Sequence, residues 1–110
     1  MAAYQTQVNR KFHNKQLKRK YKSLFEEISS IIYKHDPVGI NLSDNPDEYD
    51  IETGAILVVL EKCISKEGLD RNIHSIFVKM FDEKTAGSLA DYKSMSHNIW
   101  VLWEKRRRHI

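Results

Sequence analysis

Five carboxylates fall within nine residues of this 110-residue chain: Asp44, Asp47, Glu48, Asp50 and Glu52. Oxygen ligands at that density could hold calcium. The EF-hand pattern D-x-[DN]-x-[DN]-G-x₅-E needs a glycine at its tight turn, and no glycine stands inside the cluster, so the pattern does not fit. Two other uses remain open. The acids could cap the following helix and line a solvated turn, or they could present a negative docking surface to a basic partner. Tyr49, inside the cluster, would then supply an aromatic anchor of the kind found at interface hot spots. Like charges this close cost stability unless something offsets them, which makes docking a reasonable use. The candidate partner contacts are therefore Asp44, Asp47, Glu48, Tyr49, Asp50 and Glu52.

Other residue types offer less. The histidines His13, His35, His74, His97 and His109 are scattered. A zinc site wants close ligand pairs such as H-E-x-x-H or C-x₂₋₄-C, and the chain has none. There is no G-x-S-x-G, P-loop or G-x-G-x-x-G run. Glu26 and Glu27 are adjacent, so on a helix their side chains diverge by about 100° and do not share a site. We expect no catalytic residue, no metal and no cofactor; the chain reads as a binding protein rather than an enzyme. Its single cysteine, Cys63, lies in an apolar run and reads as a buried structural thiol. One cysteine allows no internal disulfide, which makes a reducing compartment the default. No apolar run approaches the ~20 residues of a membrane span, and the N-terminus lacks the apolar stretch of a secretory signal, so the expected location is the cytoplasm.

The net charge of +3 conceals an uneven layout. Residues 1–22 hold seven lysines or arginines and no acid; residues 23–103 hold seven basic and fourteen acidic residues, a net of −7; residues 104–110 return +3. The basic N-terminus, "RKFHNKQLKRKYK", could bind nucleic acid or an anionic membrane, and "KRRRH" supports nucleic acid if the two ends meet in space. In an up-down bundle of four helices, those ends would lie on the same side. Trp103 continues an apolar stripe and suits the core. Trp100 falls at the stripe's edge, where an exposed tryptophan would be an anchor.

These residues must be positioned by helices. Leu17, Tyr21, Leu24, Phe25, Ile28, Ile31 and Ile32 recur at three- and four-residue spacing, which predicts a helix from about Phe12 to Asp36-Pro37. Ala55, Ile56, Val59, Leu60, Cys63 and Ile64 predict a second, with Asp50 as its N-cap and Gly68 as its stop. Ile73, Ile76, Phe77, Met80 and Phe81 predict a third, from Asp70 to Asp82, with Leu69 stapling back onto His74. Leu89, Tyr92, Met95, Ile99, Leu102 and Trp103 predict a fourth, opened by Ser88 with Asp91 three residues on, close to a capping box. No segment alternates at period two. The expected fold is all-α: a small bundle of about four helices with a Pro-containing acidic loop between the first two. Residues 1–11 are expected to be a flexible basic segment and residues 12–110 a single helical domain.

The segments "HDPVGI" and "NPDEYDIETGAIL", with the late Ile99-Trp100 pair, resemble a group of small all-helical bacterial proteins. Their pattern is a DPIG turn, a DEYD segment opening the next helix, and an Ile-Trp pair. The likeness spans roughly residues 21–104, and it departs at His35, where tryptophan is common, and at "LSDN" before Pro46. Many such proteins look like immunity partners in toxin systems, including contact-dependent growth inhibition. The resemblance implies a cytoplasmic immunity protein that binds and neutralises a cognate toxin domain by occluding its active site. A nuclease toxin would be basic along its substrate groove, which an acidic surface could cover. The alternative is a small nucleic-acid-binding or regulatory module that uses the basic termini.

Overall fold

Leu17, Tyr21, Leu24, Phe25, Ile28 and Ile32 are all buried, as one helical face requires. In the computed structural model, which describes residues 14–39, 49–62 and 65–108, that face runs along two helices. Residues 14–21 form α1 and Ser23–His35 form α2. Lys22 stands between them at φ 39°, ψ −105°, a backbone region that non-glycine residues rarely adopt. Lys22 closes one ladder and opens the next: its amide donates to Lys18 at 2.8 Å and its carbonyl accepts from the Glu26 amide at 3.3 Å. α2 stops where expected. Asp36 turns left-handed at φ 48°, its amide still donating to the Ile32 carbonyl, and Pro37 follows.

α3 spans Asp50–Leu60 and buries Ile56, Leu57 and Leu60. Two boundary expectations are corrected. Asp50 is the first helical residue rather than the N-cap; Tyr49 holds the cap position and no side chain caps it. Gly68 does not stop this helix. It lies in the first turn of α4, Lys66–Met80, where its amide donates to the true N-cap, Ser65 Oγ, at 3.1 Å. Ser65 in extended backbone satisfies one of the four orphan amides of the helix start, with Glu67 adding favourable charge.

α5 is the single turn Glu83–Ala86. The Thr85 amide donates to Asp82 Oδ1 at 2.6 Å and holds that carboxyl below its usual range. The Ser88 amide then donates to Asp91 Oδ2 at 3.1 Å, the reach-back expected of a capping box. The first turn here is a 3₁₀ segment, Leu89–Tyr92, which leads into α6, Lys93–Arg108.

α2 packs on α3 and α6, and α4 packs on the same two helices, so four long helices close a ring around one core. The fold is all-α, with no strand among the described residues. Phe77 sits among aromatic neighbours, its ring centroid 6.0 Å from Tyr49, 5.4 Å from Tyr92 and 5.9 Å from Phe81. At one position a neighbouring side chain must move to admit anything larger than glycine. A Cβ on Gly54 of α3 would fall 1.9 Å from Asn14 Oδ1 of α1. No helix among the described residues is long and apolar enough to cross a membrane.

Candidate interaction surfaces at the loop stem and the basic end

Tyr49 and Asp36 are thirteen residues apart in sequence, and the tyrosine hydroxyl donates to Asp36 Oδ1 at 2.7 Å. This bond ties the end of α2 to the start of α3 and so fixes both stems of the intervening loop. Tyr49 is fully buried against Phe77 and is not the exposed anchor that its acidic surroundings suggested. Its burial is intelligible: the ring fills the core while the hydroxyl finds a carboxylate at the rim.

Asp50 is also engaged within the chain. Lys18 Nζ lies 2.8 Å from its Oδ2, Ser29 Oγ donates to its Oδ1 at 3.1 Å, and Asn14 Nδ2 donates to its backbone oxygen at 3.1 Å. Thr53 Oγ1 donates to the Tyr49 carbonyl at 3.0 Å and stands 2.8 Å from Ser29 Oγ. Each hydroxyl carries one hydrogen, so two protons serve these three contacts. Glu52 is buried at 5% exposure. Of the six predicted contacts, Tyr49, Asp50 and Glu52 therefore belong to the stem. Asp44, Asp47 and Glu48 lie outside the described residues, as does the 1–11 segment. Asp36 and Gly39, at φ 69°, set the turn that leaves α2. An open pocket of about 650 Å³ flanks the stem, lined by Lys18, Lys22, Phe25, Glu26, Ser29, Ser30 and Asp50.

The opposite charge gathers elsewhere. Tyr21, where α1 ends, packs against Trp103 of α6 with ring centroids 6.1 Å apart. Arg106 places its guanidinium carbon 5.0 Å from the Tyr21 centroid, and Lys20 Nζ lies 5.3 Å from the same point. The two basic ends thus meet at one aromatic ring. Glu61, just past α3, accepts from Tyr21 Oη at 2.6 Å and from Lys20 Nζ at 2.7 Å. The bond to Glu61 raises the Lys20 pKa above its ordinary 10.5. Burial raises that of Tyr21, and its bond to Glu61 adds to the rise. Arg107 pairs with Glu104 at 3.0 Å. Lys15, Arg19, Lys62, Lys105 and Arg108 are exposed and have no ion-pair partner among the described residues. Trp100 is half-buried against the core and Trp103 almost wholly so.

Sequence reasoning anticipated that the basic ends share a side, but it missed Glu61, which lies forty residues from Tyr21 and carries no local signal.

Several other titratable groups hold contacts within the fold. His74 Nε2 lies 2.8 Å from the Gly87 carbonyl and its ring packs on Tyr92 at 5.4 Å, in place of the expected staple from Leu69. Tyr92 donates to the Ala86 carbonyl at 2.5 Å, and burial, with Asp91 nearby, pushes its hydroxyl up to about 12. Asp70, buried on α4, is paired with Lys66 at 3.1 Å. His35 Nε2 stands 3.4 Å from Asn98 Nδ2 across α2 and α6. No group of three metal-ligating side chains occurs among the described residues. Cys63, His13 and His109 lie outside the described side chains.

Comparison with protein families, with curated proteins and with solved structures returns no match to this chain.

Proposed function

We propose that this chain is an immunity-type binding protein, acting in the cytoplasm, that neutralises a bacterial toxin domain by covering its active site. The observation that carries the reading is the Tyr49–Asp36 bond, because it gives the DPVG and DEYD segments a common purpose. They clamp the two ends of one acidic loop. A loop held at a fixed stem loses less entropy on binding than a free one. With Tyr49, Asp50 and Glu52 taken up by the stem, the contact role falls on Asp44, Asp47 and Glu48. The expected partner is a nuclease domain, whose phosphate-binding groove is cationic and would be drawn to a body of net charge −7. The chain supplies no catalysis; it blocks.

The reading expects a large secreted protein with a variable C-terminal domain to be encoded immediately upstream, and the test is binding to that domain. The wild-type chain should co-purify with that domain and suppress its nuclease activity. Asp47→Lys with Glu48→Lys should weaken the complex by about tenfold or more while leaving the melting temperature unchanged. Unaltered affinity in that variant would remove the loop from the interface, and failure of the wild-type chain to bind would end the toxin-blocking reading.

A further inference from the structure

We propose that the junction of α1 with the last turn of α6 binds the phosphate backbone of nucleic acid. The inference does not rest on the toxin-blocking reading and concerns a different surface. Favourable interaction with the helix macrodipole would account for Lys105, Arg106 and Arg108 at the C-terminus of α6. It does not account for what the fold sets against them. Lys20 of α1 and Arg106 of α6 stand within 5.3 Å and 5.0 Å of the same Tyr21 centroid. Both cations draw on one ring, and the carboxylate beside it, Glu61, is already bonded to Lys20 and to the Tyr21 hydroxyl. Lys15 and Arg19 add exposed positive charge on α1 without an ion-pair partner among the described residues. A polyanion would relieve that concentration of charge, and guanidinium groups match phosphate oxygens in a bidentate manner.

The observations favour nucleic acid over a lipid surface. Interfacial membrane binding needs buried apolar area beside the cations. Among the described residues the exposed large apolar side chains are Ile51, which lies at the start of α3, and Val101, a turn before the basic run. Two isolated apolar side chains are too little surface for membrane docking.

The experiment is fluorescence anisotropy with the full-length chain and labelled mixed-sequence oligonucleotides of about 20 nucleotides: RNA, single-stranded DNA and duplex DNA, at rising salt. The wild-type chain should bind at low salt. Four to six phosphate contacts predict a log–log salt slope of roughly −3 to −5, and the strand types should rank by backbone charge density rather than by sequence. Arg106→Ala with Lys105→Ala and Arg108→Ala should weaken binding about tenfold or more and flatten the slope. Lys79→Ala, an exposed lysine of α4, serves as the matched control and should change nothing. The thermal melt of each variant establishes that it is folded. Two further single variants, Arg108→Ala and Lys105→Ala, keep the test decisive if the triple variant melts early. The proposal is overturned if no oligonucleotide binds at about 50 mM salt, if the α6 variants bind as tightly as wild type, or if the chain binds phosphatidylserine vesicles in preference to every oligonucleotide.

Discussion

At the loop stem, Asp50 meets Lys18 at 2.8 Å with its own side chain only 16% exposed, and Ser29 donates to it from α2. At the other end of α1, Lys20 meets Glu61 at 2.7 Å, but here the acid is 33% exposed and the lysine 62%. The two pairs look alike by distance. They differ in what surrounds them. The stem joins α1, α2 and α3 through Lys18 and the Ser29 hydroxyl on the Asp50 carboxylate and the Asn14 amide on its backbone oxygen. The basic end leaves cations of α1 and α6 in water around one ring. Among the described residues, then, the acids at the start of α3, Asp50 and Glu52, are taken up by the fold, while the basic residues of α1 and α6 are displayed. Counting charges along the chain does not distinguish the two; burial of the partner does.

The largest expected effect tests the stem. Tyr49→Ala removes a fully buried ring that touches Phe77, and such aromatic truncations cost about 3–5 kcal/mol. Chemical denaturation should show the midpoint collapse. Tyr49→Phe keeps the ring and deletes only the bond to Asp36, so it should cost about 1 kcal/mol. If Tyr49→Ala proved as mild as a surface change, the stem would not be structural and the contrast with the basic end would fail.

Gly54→Ala bears on both regions, because α1 is seated on α3 at that point and carries the basic residues with it. The new methyl would displace Asn14 from its bond to the Asp50 carbonyl. Overpacking costs about 1–3 kcal/mol, against a gain of about 1 kcal/mol from the better helix former, for a net loss of about 1 kcal/mol. In an Asn14→Ala background the clash is gone and the same substitution should become stabilising. A double-mutant cycle by denaturation reads that change of sign.

Much of this architecture was open to reading from residue spacing. Three- and four-residue recurrence from Leu17 to Ile32 marked a buried face, Asp36-Pro37 marked its end, and Ser88 with Asp91 marked the entry to α6. Spacing could not reveal the partition at Lys22, whose neighbours carry no glycine or proline to signal a break. Gly68 resembled a helix stop because glycine serves that role so often, yet Ser65 in front of Lys66-Glu67 was the stronger start signal. The candidate site was less legible for a physical reason. Whether a carboxylate or tyrosine faces water depends on groups distant in sequence: Lys18 for Asp50, Phe77 for Tyr49, Glu61 for Tyr21. None of those distances leaves a trace in local pattern.

The smallest expected difference is the most pointed comparison, between two lysines two positions apart on α1. Lys18 and Lys20 each hold a carboxylate below 3 Å, and each lies 5.3 Å from an aromatic centroid, Phe25 and Tyr21 respectively. Substituting either by alanine removes an ion pair with a carboxylate and a cation–π contact of the same length. Lys18→Ala leaves the part-buried Asp50 with Ser29 but no cation, and should cost about 1 kcal/mol, a few degrees of melting temperature. Lys20→Ala leaves a solvated Glu61 still bonded to Tyr21, so its melting temperature should match wild type, since exposed pairs are screened. The raised pKa of Lys20 means that whatever its pair contributes is present at neutral pH and lost only as pH rises beyond 10.5. Raising the ionic strength should shrink any Lys20 effect further while sparing that of Lys18, because a less exposed pair is less screened. Equal melting temperatures for the two variants would mean that burial of the acid does not separate the stem from the basic end, and the distinction between consumed and displayed charge would have to rest on the hydroxyl network alone.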